Sequence, residues 1–118
     1  MSRRPVLESE IQRQILAAIG SEWDYLVLKN SVGVAQHYAA DGKSWKVPYG
    51  LGVGSPDLVG ILAPLGRWLC FEVKCPGEEA TKEQEIVHSI WRGFGAFVFV
   101  VHSVEETRAA LKQMRDMS

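Results

Sequence analysis

Apolar residues along this chain change their period several times, and each change marks a different element. From Glu8 to Ile19, Ile11, Ile15, Leu16 and Ile19 recur at helical spacing, and Gly20 follows as a stop signal. The run YLVLKN, Tyr25 to Asn30, predicts a short strand, with a further strand around Val32 to Ala39. Residues 40–56, ADGKSWKVPYGLGVGSP, read as a loop because four glycines and two prolines interrupt any period. DLVGILA and RWLCFEVK then predict two strands folded into a hairpin, with Pro64 presetting the turn and Gly66 supplying positive φ.

Beyond the hairpin, Thr81 to Phe94 predicts a helix opened by the capping box Thr81-x-x-Gln84. AFVFVV, Ala96 to Val101, is the continuous apolar run expected of a buried strand. A second capping box, Ser103-x-x-Glu106, opens a last helix reaching to about Arg115. The order α-β-(β)-β-β-α-β-α predicts an α/β fold, a mixed β-sheet flanked by helices. Part of the sheet should be parallel, since the last strand follows a helical crossover.

The 118 residues, 47% hydrophobic and 23% charged, fit one domain over residues 1–118 with a single core. Charges or glycines break every apolar run before membrane-spanning length, and no apolar segment follows the basic MSRRP start, so no membrane partner and a cytoplasmic location are expected. Cys70 and Cys75 lack metal-ligand spacing and read as reduced thiols. A net charge of −1 gives no overall attraction to nucleic acid. It leaves room for a local basic patch formed by Arg3, Arg4, Lys43 and Lys46.

One detail changes the picture. The second hairpin strand, otherwise Leu, Phe and Val, ends in Glu72-Val73-Lys74. Residues two apart in a strand share a face, so Glu72 and Lys74 project together while Phe71 and Val73 point the other way. A turn centred near Leu65 and Gly66 brings Asp57 opposite Val73 or Lys74. An isolated E-x-K would read as an edge salt bridge. Convergence with Asp57 after a glycine-rich approach favours a metal instead, because buried charge is costly unless paired or bound to a cation. Two carboxylates on adjacent strands suit a hard ion such as Mg²⁺ or Mn²⁺. Such an ion polarises a phosphoryl oxygen and acidifies water, and a nearby ammonium stabilises developing charge.

The ordered set Pro56-Asp57…Glu72-x-Lys74 resembles the PD-(D/E)xK nuclease superfamily. More narrowly, GVGSPDLVGI…LCFEVKCPGEEATKEQ is similar to VRR-NUC (virus-type replication-repair nuclease) domains, whose restriction-endonuclease-like core is shared with Holliday-junction resolvases. The resemblance implies metal-binding carboxylates at Asp57 and Glu72, a further ligand in the Val73 carbonyl, and a catalytic lysine at Lys74. It matches Glu10 to the family's first-helix acid, with Glu8 as a neighbouring rival, and Gln84 to a glutamine that orients groups in the site. Asn30 matches an asparagine near the site; a turn residue is the plainer reading.

Four residues of the 40–56 segment are candidates for substrate binding: Trp45 and Tyr49 for stacking on bases, Lys43 and Lys46 for phosphates. His37 is a further possible contact, His88 is expected on a helix surface, His102 precedes the last helix, and none has zinc-site spacing. The expected function is metal-dependent, structure-selective DNA cleavage by a bacterial or phage-encoded homodimer, acting with replication or repair proteins. The alternatives are a non-catalytic nucleic-acid-binding module with the same fold, a structural protein with an edge salt bridge, and a sequence-specific restriction-type enzyme.

Overall fold

The computed structural model describes residues 7–117; Arg3 and Arg4, of the expected basic patch, lie outside the described residues. The predicted helices and strands form. Helix α1 spans Glu8–Ile19, β1 Ser21–Glu22, β2 Tyr25–Lys29, β3 Gly33–Tyr38, β4 Ser44–Tyr49, β5 Leu58–Leu62, β6 Arg67–Val73, α2 Lys82–Gly93, β7 Phe97–Val101 and α3 Val104–Met117. Five strands make one mixed sheet in the order β1-β2-β5-β6-β7, antiparallel except for the parallel β6–β7 pair. The crossover through α2 produces that parallel pair.

One sheet face carries Tyr25, Val27, Leu58, Leu62, Leu69, Phe71 and Val73, all buried against Ile11, Ile15 and Ile19 of α1 and Ala110, Leu111 and Met114 of α3. Burial of a side chain such as Leu58 or Phe71 stabilises the fold by about 1.5–3 kcal/mol each. On the other face, α2 docks beside β6 and β7. Trp91 meets Trp68 edge-on with ring centroids 5.5 Å apart, and Arg92 donates to the Val98 carbonyl through Nε at 3.2 Å and through its NH2 group at 2.6 Å.

Two expectations need correction. Residues 40–56 are not all loop, because Ser44–Tyr49 forms β4 and pairs with β3 as a separate two-stranded ribbon, from Gly33↔Tyr49 to Tyr38↔Ser44. The turn uses Asp41-Gly42, with Gly42 at φ +88°, the glycine conformation a tight reversal needs. Pro48 is tolerated because a two-stranded ribbon consists of edges. The ribbon stands away from the core, in line with a radius of gyration of 16.4 Å against about 13–14 Å for a compact domain of this size.

The second capping box is only half formed. Glu106 N–H donates to Ser103 Oγ, but the Glu106 carboxylate turns to His102, accepting from its backbone N–H at 2.7 Å and meeting its Nδ1 at 2.8 Å. The imidazole outcompetes the Ser103 amide as partner, and its other nitrogen lies 2.7 Å from the Glu78 carbonyl. Neither Cys70 nor Cys75 forms a disulfide, and burial pushes the Cys70 thiol up to about 12. Among the described residues, no helix is long and apolar enough to cross a membrane.

Candidate active site

Chain register decides the site. The β5–β6 ladder pairs Leu62 with Arg67 and Leu58 with Phe71, so the turn centres between Pro64 and Leu65, and Asp57 falls opposite Glu72. This is one position short of the expected Val73 and two short of Lys74, because the four residues Ala63 to Gly66 form the reversal. Asp57 and Glu72 consequently share a face, away from the apolar core.

Asp57 Oδ2 accepts from Val73 N–H at 2.8 Å, and the Asp57 and Glu72 carboxyl groups lie near enough for each to shift the other's pKa. Glu72 is 1% exposed and Lys74 7%. Desolvation first, and then Glu72, push the Asp57 carboxyl up to about 7. Burial raises Glu72 as well, opposed first by Asp57 and then by Lys74, with the Glu8 charge adding to the rise. Two desolvated carboxyls in contact cannot both ionise cheaply with one ammonium beside them. Their donor set, two carboxylates with the Val73 carbonyl between Glu72 and Lys74, fits a hard divalent cation that would supply the missing charge.

The approach to Asp57 is braced by Asn30. Its Nδ2 donates to Ser55 Oγ at 2.8 Å and to the Pro56 carbonyl at 2.9 Å, and its Oδ1 accepts from Leu51 N–H at 3.1 Å. Its backbone N–H also reaches the Asp57 carbonyl at 2.7 Å. Asn30 thus ties the end of β2 to the 51–57 segment, and a substrate contact from its side chain would have to displace one of these bonds. Gly54, at φ +84°, packs so closely on Val87 of α2 that a Cβ would crowd it.

Of the two acids of α1, Glu8 stands three and seven residues before the buried Ile11 and Ile15, so it shares their face. Its charge acts on Glu72, and its carboxylate gathers with Cys75 and Glu78, ligand atoms within 4.8 Å of one another. Glu10 shares its side of the helix with the exposed Arg13, Gln14 and Ala17. Gln84 completes the capping box of α2: its Oε1 accepts from Thr81 N–H at 2.9 Å, and its own N–H donates to Thr81 Oγ1 at 3.2 Å.

His88 is not on the helix surface as expected. It is 1% exposed, the one buried residue of α2, and its Nε2 lies 2.9 Å from Glu72 Oε1. Burial first, with Arg92 adding to it, lowers its pKa and favours the neutral imidazole. The sequence carried one signal for this position: Gln84 and His88 are four residues apart and share a helix face.

Lys43 lies in the ribbon turn; Trp45, Lys46 and Tyr49 lie on β4, and all four are exposed. Trp45 stacks on His37 with centroids 5.7 Å apart. The ribbon leaves the core three residues after Asn30 and returns into the segment that ends at Asp57, so its base adjoins the carboxylate pair.

No family model matches the sequence, and no curated protein matches it. A solved structure described as "VRR_NUC domain" matches with probability 1.00, 28% identity and a TM-score of 0.55, covering 89% of this chain and 94% of that one. In fold, and along nearly its whole described length, the chain is a nuclease-type domain similar to the VRR_NUC domain.

Proposed function

We propose that this chain is a Mg²⁺- or Mn²⁺-dependent endodeoxyribonuclease that hydrolyses phosphodiester bonds in branched DNA, such as flaps or four-way junctions. The register that sets half-buried Asp57 opposite buried Glu72, beside buried Lys74, carries this reading, since it leaves acidic ligands in want of a cation. Asp57, Glu72 and the Val73 carbonyl would hold the ion, and the helix acid would be Glu10, which the resemblance matches, or its rival Glu8, whose charge reaches Glu72. When bound, the ion contributes Lewis acidity toward the phosphoryl group and acidifies water. Lys74 supplies a fixed positive charge where negative charge grows on the phosphate. Asn30 holds the Asp57 segment in place, and Gln84 keeps α2 in register.

Substrate contact falls to the ribbon. Trp45 and Tyr49 offer stacking faces, and Lys43 and Lys46 offer charge to phosphates, close to the cleavage site. The test is cleavage of labelled duplex, single strand, flap and four-way junction with Mg²⁺, Mn²⁺ or EDTA. Wild-type protein is expected to cut only with metal and to favour branched substrates. The Trp45→Ala, Lys46→Ala protein should raise KM on the order of tenfold, with kcat little changed. Junction binding without metal-dependent cutting would instead support a non-catalytic module.

Homodimerisation is part of the proposal. The outer face of β2, β5 and β6 leaves Leu26, Leu28, Ile61 and Trp68 about half exposed, an apolar surface of the kind that a second copy covers. Sedimentation equilibrium is expected to give twice the chain mass, and a monomer at working concentration would rule the dimer out.

A further inference from the structure

Helix α2 shows an inversion that packing does not explain. Its apolar residues Ile86 and Ile90 are 62% and 54% exposed, while its one fully buried position is a histidine. An apolar side chain would fill that position without having to find a polar partner. The partner His88 finds is Glu72, at 2.9 Å, with both side chains 1% exposed.

We infer that His88 is a positioning residue, whose imidazole holds Glu72 by Oε1 and so fixes the orientation in which that carboxylate meets Asp57 and a divalent cation. The inference rests on the metal-dependent reading of the site given above. An ionised carboxylate only accepts hydrogen bonds, so with Glu72 as a ligand His88 donates through Nε2–H. Both ends of α2 keep the donor in place: the Thr81–Gln84 capping box fixes the first turn, and Arg92 grips the Val98 carbonyl near the last. Partners that orient a ligating side chain in this way set how tightly a metal is held, typically by 10–100-fold.

The test is calorimetric titration of the whole chain with Mn²⁺ alone, without DNA, for the wild type, His88→Leu and His88→Gln. His88→Leu keeps the packing but has no donor, and is expected to weaken Mn²⁺ binding by about 10–100-fold. His88→Gln places an amide donor near the Nε2 position and should recover most of that affinity. Mn²⁺ binding in His88→Leu equal to wild type, or a loss in His88→Gln as large as in His88→Leu, would overturn the inference. If His88→Leu does not melt cooperatively, His88→Asn replaces it: its amide is too short to reach Glu72, so it should lose the same affinity. Wild-type affinity in His88→Asn would again overturn the inference. A wild-type chain that takes up no Mn²⁺ fails earlier, overturning the nuclease reading itself and this inference with it.

Discussion

Replacing Asp57 by Asn is expected to abolish metal-dependent cleavage while raising the melting temperature of the metal-free protein above pH 7. The two effects share one cause. In the native state the Asp57 carboxyl is pushed up to about 7, against 3.8 for the free group, first by desolvation and then by Glu72. Between those values the folded chain binds more protons than the unfolded chain, so stability is fully present below about pH 4 and declines as pH rises to about 7. Glu72, also raised, adds in the same direction. Asparagine cannot ionise, can still accept from Val73 N–H, and can donate to Glu72. Its melting temperature should therefore exceed wild type by a few degrees at pH 8, with a flatter pH profile. Cleavage, lacking one ligand of the ion, should fall by ~10³-fold or more. Thermal melts from pH 4 to 8 in EDTA, run beside a cleavage assay, check both. An edge salt bridge between Asp57 and Lys74 predicts the reverse, a variant less stable than wild type at pH 8, and that result would sink the metal-site assignment.

Lys74→Met should separate catalysis from metal binding. Methionine has nearly the length of lysine and suits a position that is 7% exposed, so packing survives while the ammonium is lost. Cleavage at saturating Mg²⁺ is expected to fall about 10²–10³-fold. Mn²⁺ affinity should hold or tighten, because removing a neighbouring positive charge leaves Asp57 and Glu72 with a greater need for a cation. The metal-free variant should melt below wild type at pH 8, since buried carboxylates without a cation are costly; added Mn²⁺ should restore it. Cleavage and Mn²⁺ affinity falling together would show Lys74 to be structural, and unchanged cleavage would remove it from the mechanism.

Local pattern was a reliable guide wherever burial imposed a period. The three helices and the strands of the apolar core follow from the spacing of residues such as Ile11, Ile15 and Ile19, or from continuous runs such as Phe97 to Val101. The Thr81–Gln84 cap was legible because both partners are three residues apart. Strand β4 was not legible: it buries neither face, so no alternation marks it, and its glycine- and proline-rich flanks resemble a loop. Its one local signal was the Asp41-Gly42 turn.

The candidate site divides along the same line. By itself, the sequence determined which groups are candidates for a metal site: Asp57, Glu72 and Lys74 are chemically distinctive in apolar strands, and a strand's period of two places Glu72 and Lys74 on one face. Tertiary structure decided what those groups meet. A four-residue reversal, one position from the expected centre, sets Asp57 against Glu72, and a shift of one residue would have turned it to the other face. The docking of α1 brings the charge of Glu8 to bear on Glu72 and its carboxylate beside Cys75 and Glu78. The docking of α2 across the sheet buries His88 on Glu72, sixteen residues away in sequence. Periodicity records which face of an element is apolar; it does not record which polar residue of a distant element that face will meet.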